Sequence, residues 1–337
     1  MNQSTLASRC AQGAVFLAGV AWMAMLSHVV VAAPAAKHRR DHKEMVLVPA
    51  GEFLMGSDKV ETGQRDGEFG NAKPWYLDEH PAHKMELPAF YVDEHEVTNA
   101  QYADFVAEGG AQPPIYWAKS GYLLKLKQDA LSEVKLDKLR DLAAYVFRID
   151  RDTRKMSKDE VIQAIKDKLA YQDKLPVFNV SWKEAEAYCG YEGKRLPTEA
   201  EWEKAARGAE GYEFPWGNKW QNHMANTGSE QWDSGVAPVE SYETDRSPYG
   251  VYDLAGNVSE WVEDWYKPYP GSDYKSDNFG EKFKVVRGAA WGGGMGHYAL
   301  KLFQRGAYRL NMPPQGHFKD VGFRCAMDAP QSAATVH

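Results

Sequence analysis

The sequence predicts an α+β fold in which short helices and short strands are joined by long irregular segments. Two observations support this class. Several helix starts carry their own capping residues, which delimits short helices. The chain also contains 11 Trp and 18 Tyr, most of them near Gly, Pro and Asn, and this composition is typical of packed loops.

The helices are predicted from capping boxes, in which a Ser or Thr and a Glu or Gln three residues later cap the first turn reciprocally. Such pairs occur at Thr98–Gln101, Ser181–Glu184 and Thr198–Glu201. Gly208 follows a basic residue after the last of these pairs, which is a common way for a helix to end. We therefore expect one short helix after each pair.

Short strands are predicted on the N-terminal side of these helices. Residues 45–56 suggest two strands around Pro49–Gly51, and residues 84–93 suggest one further strand. Beyond Gly208 the pattern suggests little helix apart from a turn within residues 257–264. The second half of the domain is therefore expected to consist mainly of loops.

Residues 113–173 differ from the rest of the chain because they are rich in Lys, Asp, Glu and Leu. Apolar residues recur there at helical spacing, at Leu136, Leu139, Ala143 and Val146 and again at Val161, Ile165 and Leu169. We predict an inserted helical hairpin over residues 113–173. Residues 150–160, at its turn, are spaced partly like a calcium loop but lack the central Gly, so an ordinary charged turn is the simpler interpretation.

The N-terminus has the features of a secretory signal. Arg9 precedes an almost uncharged stretch, residues 13–26, and small residues then lead up to Pro34. We predict a signal peptide over residues 1–33 and a solvated linker over residues 34–44. The alternative is an uncleaved anchor, because the apolar run is just long enough to span a bilayer. Both interpretations place the body of the protein outside the cytoplasm, as a periplasmic or secreted protein.

Charge and cysteine content narrow the possibilities further. The net charge is −7 and is spread along the chain, which argues against a nucleic-acid partner. Of the three cysteines, Cys10 lies in the signal, so that Cys189 and Cys325 remain. An even pair in an exported protein is consistent with a disulfide. Two buried free thiols are the alternative.

Seven sequence blocks occur in an order that resembles the formylglycine-generating enzymes, also called sulfatase-modifying factors. They are VPAGEFLMGS, FYVDEHEVTNAQYADF, PVFNVSWKEAEAYCGYEGKRLPTEAEWEKAARG, FPWGN, YGVYDLAGNVSEWVEDWY, VVRGAAW and GFRCA. The resemblance runs from Met45 to Met327 and leaves out the insert. It implies that residues 45–328 adopt the family's fold, a variant of the C-type lectin fold with little regular secondary structure. Residues 329–337 are then a tail.

The resemblance also implies a chemistry, and the sequence lacks the residues for it. The family's enzymes oxidise a substrate cysteine to formylglycine with oxygen, using two cysteines that lie before the GFR block. Two thiolates there suit Cu(I), a soft and redox-active ion. In this chain residues 292–321 contain no Cys, and Ala290 replaces the family's Ser. We therefore expect neither copper nor formylglycine formation by the family's known route.

Other residues of the same interval are candidates for a ligand-binding or catalytic groove. The candidates are His297, Tyr298, Arg305 and Arg309. The two arginines would suit an acidic ligand if they faced the groove, although solvated arginines are the simpler interpretation. Met295, His297 and His317 would offer ligands to a redox metal, but a loop that only lines the groove is again simpler.

The resemblance further implies calcium. In this chain the family's YDLAGNVSEW loop would supply the carboxylates of Asp253 and Glu260 and the carbonyls of Gly256 and Val258. Hard oxygen ligands from one tight loop suit Ca²⁺. The alternative is that Asp253 and its neighbours only cap turns. A second family site would draw on a separate loop, through Asn226, Thr227 and Asp233.

Three functions remain open. The favoured one is an exported accessory or maturation protein that acts on a protein or peptide partner without the copper and cysteine chemistry. The second is an oxidoreductase with an unrecognised redox centre in the same groove, similar to a pyoverdine-maturation protein. The third is a non-catalytic, lectin-like binding module. Whether the chain is an enzyme stays open, and membrane association is expected only if the signal is uncleaved.

Overall fold

The computed structural model describes residues 44–59, 76–228, 235–292 and 302–330. Within them the strands are β1 (Met45–Val48), β2 (Gly51–Met55), β3 (His83–Leu87), β4 (Phe90–Asp93), β5 (Ser259–Trp265), β6 (Lys284–Arg287), β7 (Arg309–Met312), β8 (Val321–Phe323) and β9 (Ala326–Asp328). The α-helices are α1 (Asn99–Ala107), α2 (Ile115–Ser120), α3 (Leu136–Asp141), α4 (Lys158–Asp173), α5 (Trp182–Tyr191) and α6 (Glu199–Arg207). Among the described residues no helix is both long and apolar enough to cross a membrane.

The described chain divides into two compact units. Residues 106–169 form the smaller unit, and the segments before and after them form the larger one. The larger unit holds three small sheets with the strand orders β1-β4-β9, β2-β3 and β7-β6-β5-β8. Only the β5–β8 pair among these strands is parallel. Its core packs helix α6 and these sheets around Trp202, Leu254, Val262 and Val285.

The predicted capping boxes are confirmed. The Ser181 hydroxyl accepts from the Glu184 amide, and the Glu184 carboxylate accepts from the Ser181 amide at 2.7 Å. Thr198 and Glu201 form the same reciprocal pair at the start of α6. At α1 the Gln101 side chain likewise accepts from the Thr98 amide at 2.8 Å. Local sequence therefore fixes where these helices begin.

The strands differ from the prediction in two places. Residues 84–93 form two strands, β3 and β4, because Pro88 interrupts them and a proline cannot donate to a strand ladder. Residues 257–264 were predicted to include a helical turn, and this was wrong: they enter β5, one of the two inner strands of the four-stranded sheet. Trp261 and Val262 are both fully buried there, so both faces of β5 are covered and the period-2 pattern of a half-buried strand is absent.

The inserted unit is helical, as predicted, but it is more than a two-helix hairpin. Of the seven apolar residues at helical spacing, five are buried and two, Leu136 and Val146, are half-buried; the buried ones are Leu139, Ala143, Val161, Ile165 and Leu169. Additional helical turns fill residues 115–133. Gly121 ends α2 with a φ of 80°, and a Cβ there would lie 2.7 Å from the Val146 side chain. A larger residue would therefore clash at this bend.

The charged turn of the inserted unit uses its acids locally. The Asp152 carboxylate accepts from the Arg154 amide at 3.2 Å and from the Arg154 side chain at 2.8 Å. The Glu160 carboxylate accepts from the Ser157 amide at 2.7 Å and so caps α4. These contacts are those of an ordinary charged turn.

Cys189 of α5 and Cys325, next to β9, are joined by a disulfide with an S–S distance of 1.98 Å and a Cα–Cα distance of 5.6 Å. Both residues are fully buried. Because the bond closes a loop with a sequence separation of 136, it restricts the unfolded chain strongly. It ties helix α5 to the short segment between β8 and β9.

Replacing both cysteines, as Cys189→Ala with Cys325→Ala, should lower the free energy of unfolding by about 5 kcal/mol in the chain-entropy account. Urea unfolding of the two proteins under non-reducing conditions measures the difference. The native chain treated with a reductant is the matched control, and its free energy of unfolding should fall towards that of the variant. Equal stabilities would mean that the crosslink contributes nothing.

Candidate functional site

Helix α6 is the centre of a buried ionic network. All nine of its residues are buried, although five of them are charged. A buried charge is strongly unfavourable unless an opposite charge and hydrogen bonds accompany it. The partners of this helix come mainly from strands β6 and β7.

Two acids of α6, Glu199 and Glu203, share the arginines of the sheet. Arg309 donates to both Glu199 oxygens, at 2.6 and 2.9 Å. Arg287 donates to Glu199 at 2.9 Å and to Glu203 at 2.7 Å, and Arg207 pairs with Glu203 from the helix itself. Burial alone would raise the pKa of Glu203, but Arg287 and Arg207 outweigh it and hold that pKa below its ordinary value.

Arg305 and Arg309 were interpreted as solvated arginines or, alternatively, as groove arginines that take an acidic ligand, and the structure agrees with neither interpretation. Both side chains are buried, and each already holds a carboxylate of the protein. Arg305 donates to both oxygens of Glu79, at 2.8 Å for the Nη1 bond, and it packs over the Tyr76 ring. Arg309 holds Glu199 in the same two-pronged manner. Their role here is to balance buried acids.

A small cavity of about 130 Å³ lies beside this network. It is lined by Ser57, Lys59, Arg207, Gly211, Glu213, Asn218, Arg305 and Ala307. Its cations are matched by acids, since Lys59 pairs with Glu213 while Arg207 and Arg305 pair with Glu203 and Glu79. The cavity therefore carries no excess of positive charge that would select an anion.

The remaining groove candidates divide into two groups. His297 and Tyr298 lie outside the described residues, as does Met295. The His317 ring places Nε2 at 2.9 Å from the carboxylate of Glu184, the acid that caps α5. His317 is thereby engaged with a helix cap.

The predicted calcium loop has an unexpected feature at Glu260. Arg324 donates to both Glu260 oxygens at 2.7 Å, and the Trp202 indole donates to Oε2 at 2.8 Å. Oε2 thus accepts two hydrogen bonds, which uses both of its lone pairs, and Oε1 keeps one. Glu260 is therefore mainly an ion-pair partner of Arg324, and only one lone pair, on Oε1, remains for a cation.

Asp253, in contrast, faces other acids. It is 3% exposed, and its Oδ2 accepts from the Glu240 amide at 2.7 Å. Burial raises the pKa of Asp253 to about 6. Fully buried Glu96 lies within hydrogen-bonding reach of it, and burial together with the Asp253 charge raises the pKa of Glu96 well above its ordinary value. The pKa of the neighbouring Asp245 is raised by the same two causes.

The rest of this loop is shaped by close backbone packing. A Cβ on Gly256 would lie 2.6 Å from the carbonyl oxygen of Asn226, so only glycine fits there. Asp253 and Asn257 adopt left-handed φ values of 59° and 66°, which turn the loop tightly. The backbone amide of Asn257 donates to the backbone carbonyl of Asn226 at 2.7 Å, and this bond joins the loop to the second predicted site.

The structure describes two of the three residues of the second predicted calcium site. Asn226 and Thr227 are buried, and Asp233 lies outside the described residues. The Asn226 amide group donates to the Gly235 carbonyl at 3.0 Å and to the Asn257 side chain at 3.1 Å. Its Oδ1 accepts one long bond, at 3.4 Å, from the Gly228 amide. That oxygen keeps capacity for a further ligand.

Among the described residues no group of three or more His, Cys, Asp and Glu side chains is arranged to hold a metal ion. A cation at the Asp253 loop would therefore be held by fewer side chains together with backbone carbonyls. The unpartnered Oε2 of Glu96 and the surplus of buried acids fit a hard cation of this kind.

The sequence matches the family described as the sulfatase-modifying factor enzyme 1-like domain over residues 31–329. It is 32% identical over 302 residues to the formylglycine-generating enzyme of Bos taurus, covering 85% of this chain and 75% of that protein. The chain belongs to the sulfatase-modifying factor family. The Streptomyces coelicolor formylglycine-generating enzyme is 32% identical over 317 residues, covering 90% of this chain and 95% of that one. A mouse relative, named inactive Cα-formylglycine-generating enzyme 2, is 33% identical over 301 residues, covering 85% and 86%.

The fold of this family member also agrees with a solved structure. PvdO from Pseudomonas aeruginosa superposes with a TM-score of 0.50 at 24% identity, covering 85% of this chain and 94% of that one. The predicted fold class is thereby confirmed.

Sequence reasoning missed several charged residues that organise the family fold here. They are Glu96, Glu203, Asp245, Arg287 and Arg324. Four of them stand in the blocks that carry the family resemblance, but a sequence does not distinguish a buried charge from a solvated one. Asp245 lies outside those blocks, and no pattern pointed to it.

Glu199→Gln should lower the free energy of unfolding by about 3–5 kcal/mol, because Arg287 and Arg309 would share a neutral amide in place of a buried carboxylate. Chemical denaturation of native and variant chains checks this. Lys84→Ala, which removes an exposed ion pair with Glu52, is the control and should leave the midpoint unchanged. A Glu199 variant as stable as the native chain would contradict the structural role of the network.

Proposed function

We propose that this family member is an exported accessory or maturation protein that binds a protein or peptide partner and does not form formylglycine by the copper and cysteine route. The observation that carries the proposal is the cysteine inventory. The chain has three cysteines, Cys10, Cys189 and Cys325, and none lies within residues 292–321. Cys189 and Cys325 are joined to each other, so neither sulfur is a free thiolate.

The missing thiolates matter because they are the ligands that suit Cu(I) in the family's reaction. Without them the interval offers no soft anionic pair to hold the ion while a substrate thiol is oxidised. A mouse relative is named inactive, which supports the idea that a member of this family can lack the formylglycine-forming reaction. The buried ionic network around α6 stabilises the fold, and this role does not depend on catalysis.

A protein or peptide partner is supported by the family itself, whose name refers to the modification of sulfatases. The buried disulfide supports an oxidising location, and the signal-like residues 1–33 support export to the periplasm or beyond. Within this proposal, membrane attachment occurs only if the signal stays on.

Calcium completes the proposal as a structural ion. The Asp253 loop carries buried acids that exceed their positive partners, and a divalent cation would neutralise them. The bound ion would supply charge balance and rigidity, with no part in a chemical step. Asn226 and Thr227 would serve a second ion in the same way, with Asp233.

The proposal predicts that the full mature chain, supplied with Cu(I), oxygen and a reductant, leaves a sulfatase-derived cysteine peptide unoxidised. The Streptomyces coelicolor relative, assayed in parallel, is the positive control. Mass spectrometry of the peptide with aldehyde trapping detects formylglycine. Peptide binding without turnover is the expected companion result.

Aldehyde formation at a rate near that of the control would overturn the proposal. Oxygen consumption that depends on a bound copper or iron would favour an oxidoreductase with a different redox centre in the groove. In that event, variants of His297 and His317 would show whether these side chains hold the metal.

A further inference from the structure

The inserted unit, residues 106–169, leaves large apolar side chains in contact with water. Tyr145 is 74% exposed and Ile115 is 66% exposed, and they are the most exposed large hydrophobic residues of the described part of the chain. A single exposed hydrophobic residue is normal on a protein surface. The surroundings of these two residues therefore decide whether they belong to a binding surface.

Tyr145 lies on a π-helical turn that the core of the inserted unit holds from one side. The turn spans Leu142–Val146, and the Phe147 amide donates to the Leu142 carbonyl at 3.0 Å. Ala143 and Phe147 are buried, so Tyr145, midway between them in the sequence, is left on the outer side. Turns of this type are rare and occur frequently at functional sites.

Arg148 ends this turn in a backbone conformation that favours glycine. Its φ is 48°, and the Ile149 amide next to it donates to the Ala143 carbonyl at 2.9 Å. A helix that ends in this way usually has Gly at the left-handed position, because a Cβ is unfavourable there. The Arg148 side chain is exposed, three residues from Tyr145. An arginine thus occupies a position at which glycine would be the easier residue.

Helix α2 brings further apolar residues to this surface. Trp117 anchors the helix because it is fully buried, while Ile115 and Ala118, which share one side of the helix, are exposed. The helix ends at Gly121, which packs closely against Val146 of the π-helical turn. The two elements therefore adjoin. Their exposed apolar residues, here called the apolar face, are Ile115, Ala118, Ala144 and Tyr145.

Cations flank the apolar face. Lys119, Arg148 and Arg151 are exposed, and none of them has an ion-pair partner among the described residues, whereas Asp150 is the one acid between the two arginines. The neighbouring acids that are already paired are Asp141, with Lys138, and Asp152, with Arg154. Residues 106–169 carry 13 Lys and Arg against 10 Asp and Glu, although the whole chain has a net charge of −7. This surface therefore favours a negatively charged partner.

The same cations select among the possible occupants. If two copies of the chain paired through the apolar face, Lys119 and Arg148 of each copy would approach those of the other, and like charges repel. A membrane surface is matched by a long amphipathic helix with a basic polar face, whereas α2 has six residues and Asp150 lies beside the arginines. A polypeptide with an apolar side chain among acidic residues matches both the apolar face and its charges.

We propose that the apolar face of the inserted unit docks an acidic polypeptide partner. An aromatic or aliphatic side chain of the partner would pack on Tyr145 and Ile115, and its carboxylates would pair with Lys119 and Arg148. The inference rests on the proposed function and adds the docking surface and the charge of the partner. Tyr and Arg are among the residues that contribute most to binding at protein interfaces. Residues 113–173 lie outside the blocks of family resemblance, so this surface is a feature of the present chain.

The probe for this inference is a phage-displayed library of random peptides of about 12 residues, selected on the immobilised mature full chain. We expect the selected peptides to carry an aromatic or aliphatic residue with Asp or Glu on both sides. A selected peptide is synthesised with a fluorescent label, and its affinity is measured by fluorescence anisotropy. A counterpart with Asn and Gln in place of the acids should bind about tenfold more weakly.

Two variants of the chain should each weaken binding of the acidic peptide by about tenfold. Tyr145→Ser removes the apolar contact. Arg148→Gly removes the charge and relieves the left-handed backbone, so its melting temperature should not fall below that of the native chain. The matched controls are Lys166→Ser, at an exposed cation of α4, and Trp220→Ser, at an exposed aromatic residue of the larger unit. Both controls should keep the native affinity.

Native affinity in Tyr145→Ser or in Arg148→Gly would overturn the inference, while the proposed function would stand with its peptide bound elsewhere. A library that yields no binding peptide would count against both. Light scattering should show a monomer, and a dimer that dissociates in Tyr145→Ser would make a second copy the occupant. Binding to phosphatidylglycerol vesicles that is lost in Arg148→Gly would make a membrane the occupant. Either result would overturn docking of an acidic polypeptide.

Discussion

The pairing of buried acids with buried arginines around helix α6 is the constraint on which the larger unit depends. Glu199 and Glu203 face the core on one side of the helix, where Arg287 and Arg309 reach them from two neighbouring strands. Each arginine binds through several hydrogen bonds, so the strands cannot shift relative to the helix without breaking them. In a domain with short elements, this network does what long packed helices do elsewhere: it fixes the mutual positions of the elements.

The same principle explains why one loop stands apart. Around α6 the carboxylates of Glu199 and Glu203 are matched by Arg207, Arg287 and Arg309. Around Asp253 the acids outnumber the single guanidinium of Arg324, and one carboxylate oxygen of Glu96 has no partner in the described contacts. In our proposal a calcium ion supplies positive charge at this second place. The two regions adjoin at Trp202, whose indole belongs to α6 and donates to Glu260.

The sequence was a good guide where structure is decided locally. Capping boxes act within four residues, so the starts of α1, α5 and α6 were predictable, and the apolar spacing of the insert was too. The strands of the second half were not, because β5 carries Glu260 and Trp261 on buried faces and shows no alternation. Arg305 and Arg309 were interpreted as solvated or, alternatively, as facing a ligand, but acids distant in sequence, Glu79 and Glu199, bind them. Such pairings depend on tertiary structure.

The metal content of the protein tests most directly the proposal that the chain holds no redox metal and that its buried acids bind a calcium ion. The chain would be purified from its export compartment without added metals or chelators and analysed by elemental mass spectrometry. The account predicts at least one calcium per chain, with copper and iron far below stoichiometric amounts. Stoichiometric copper or iron, or a folded chain free of calcium, would contradict it.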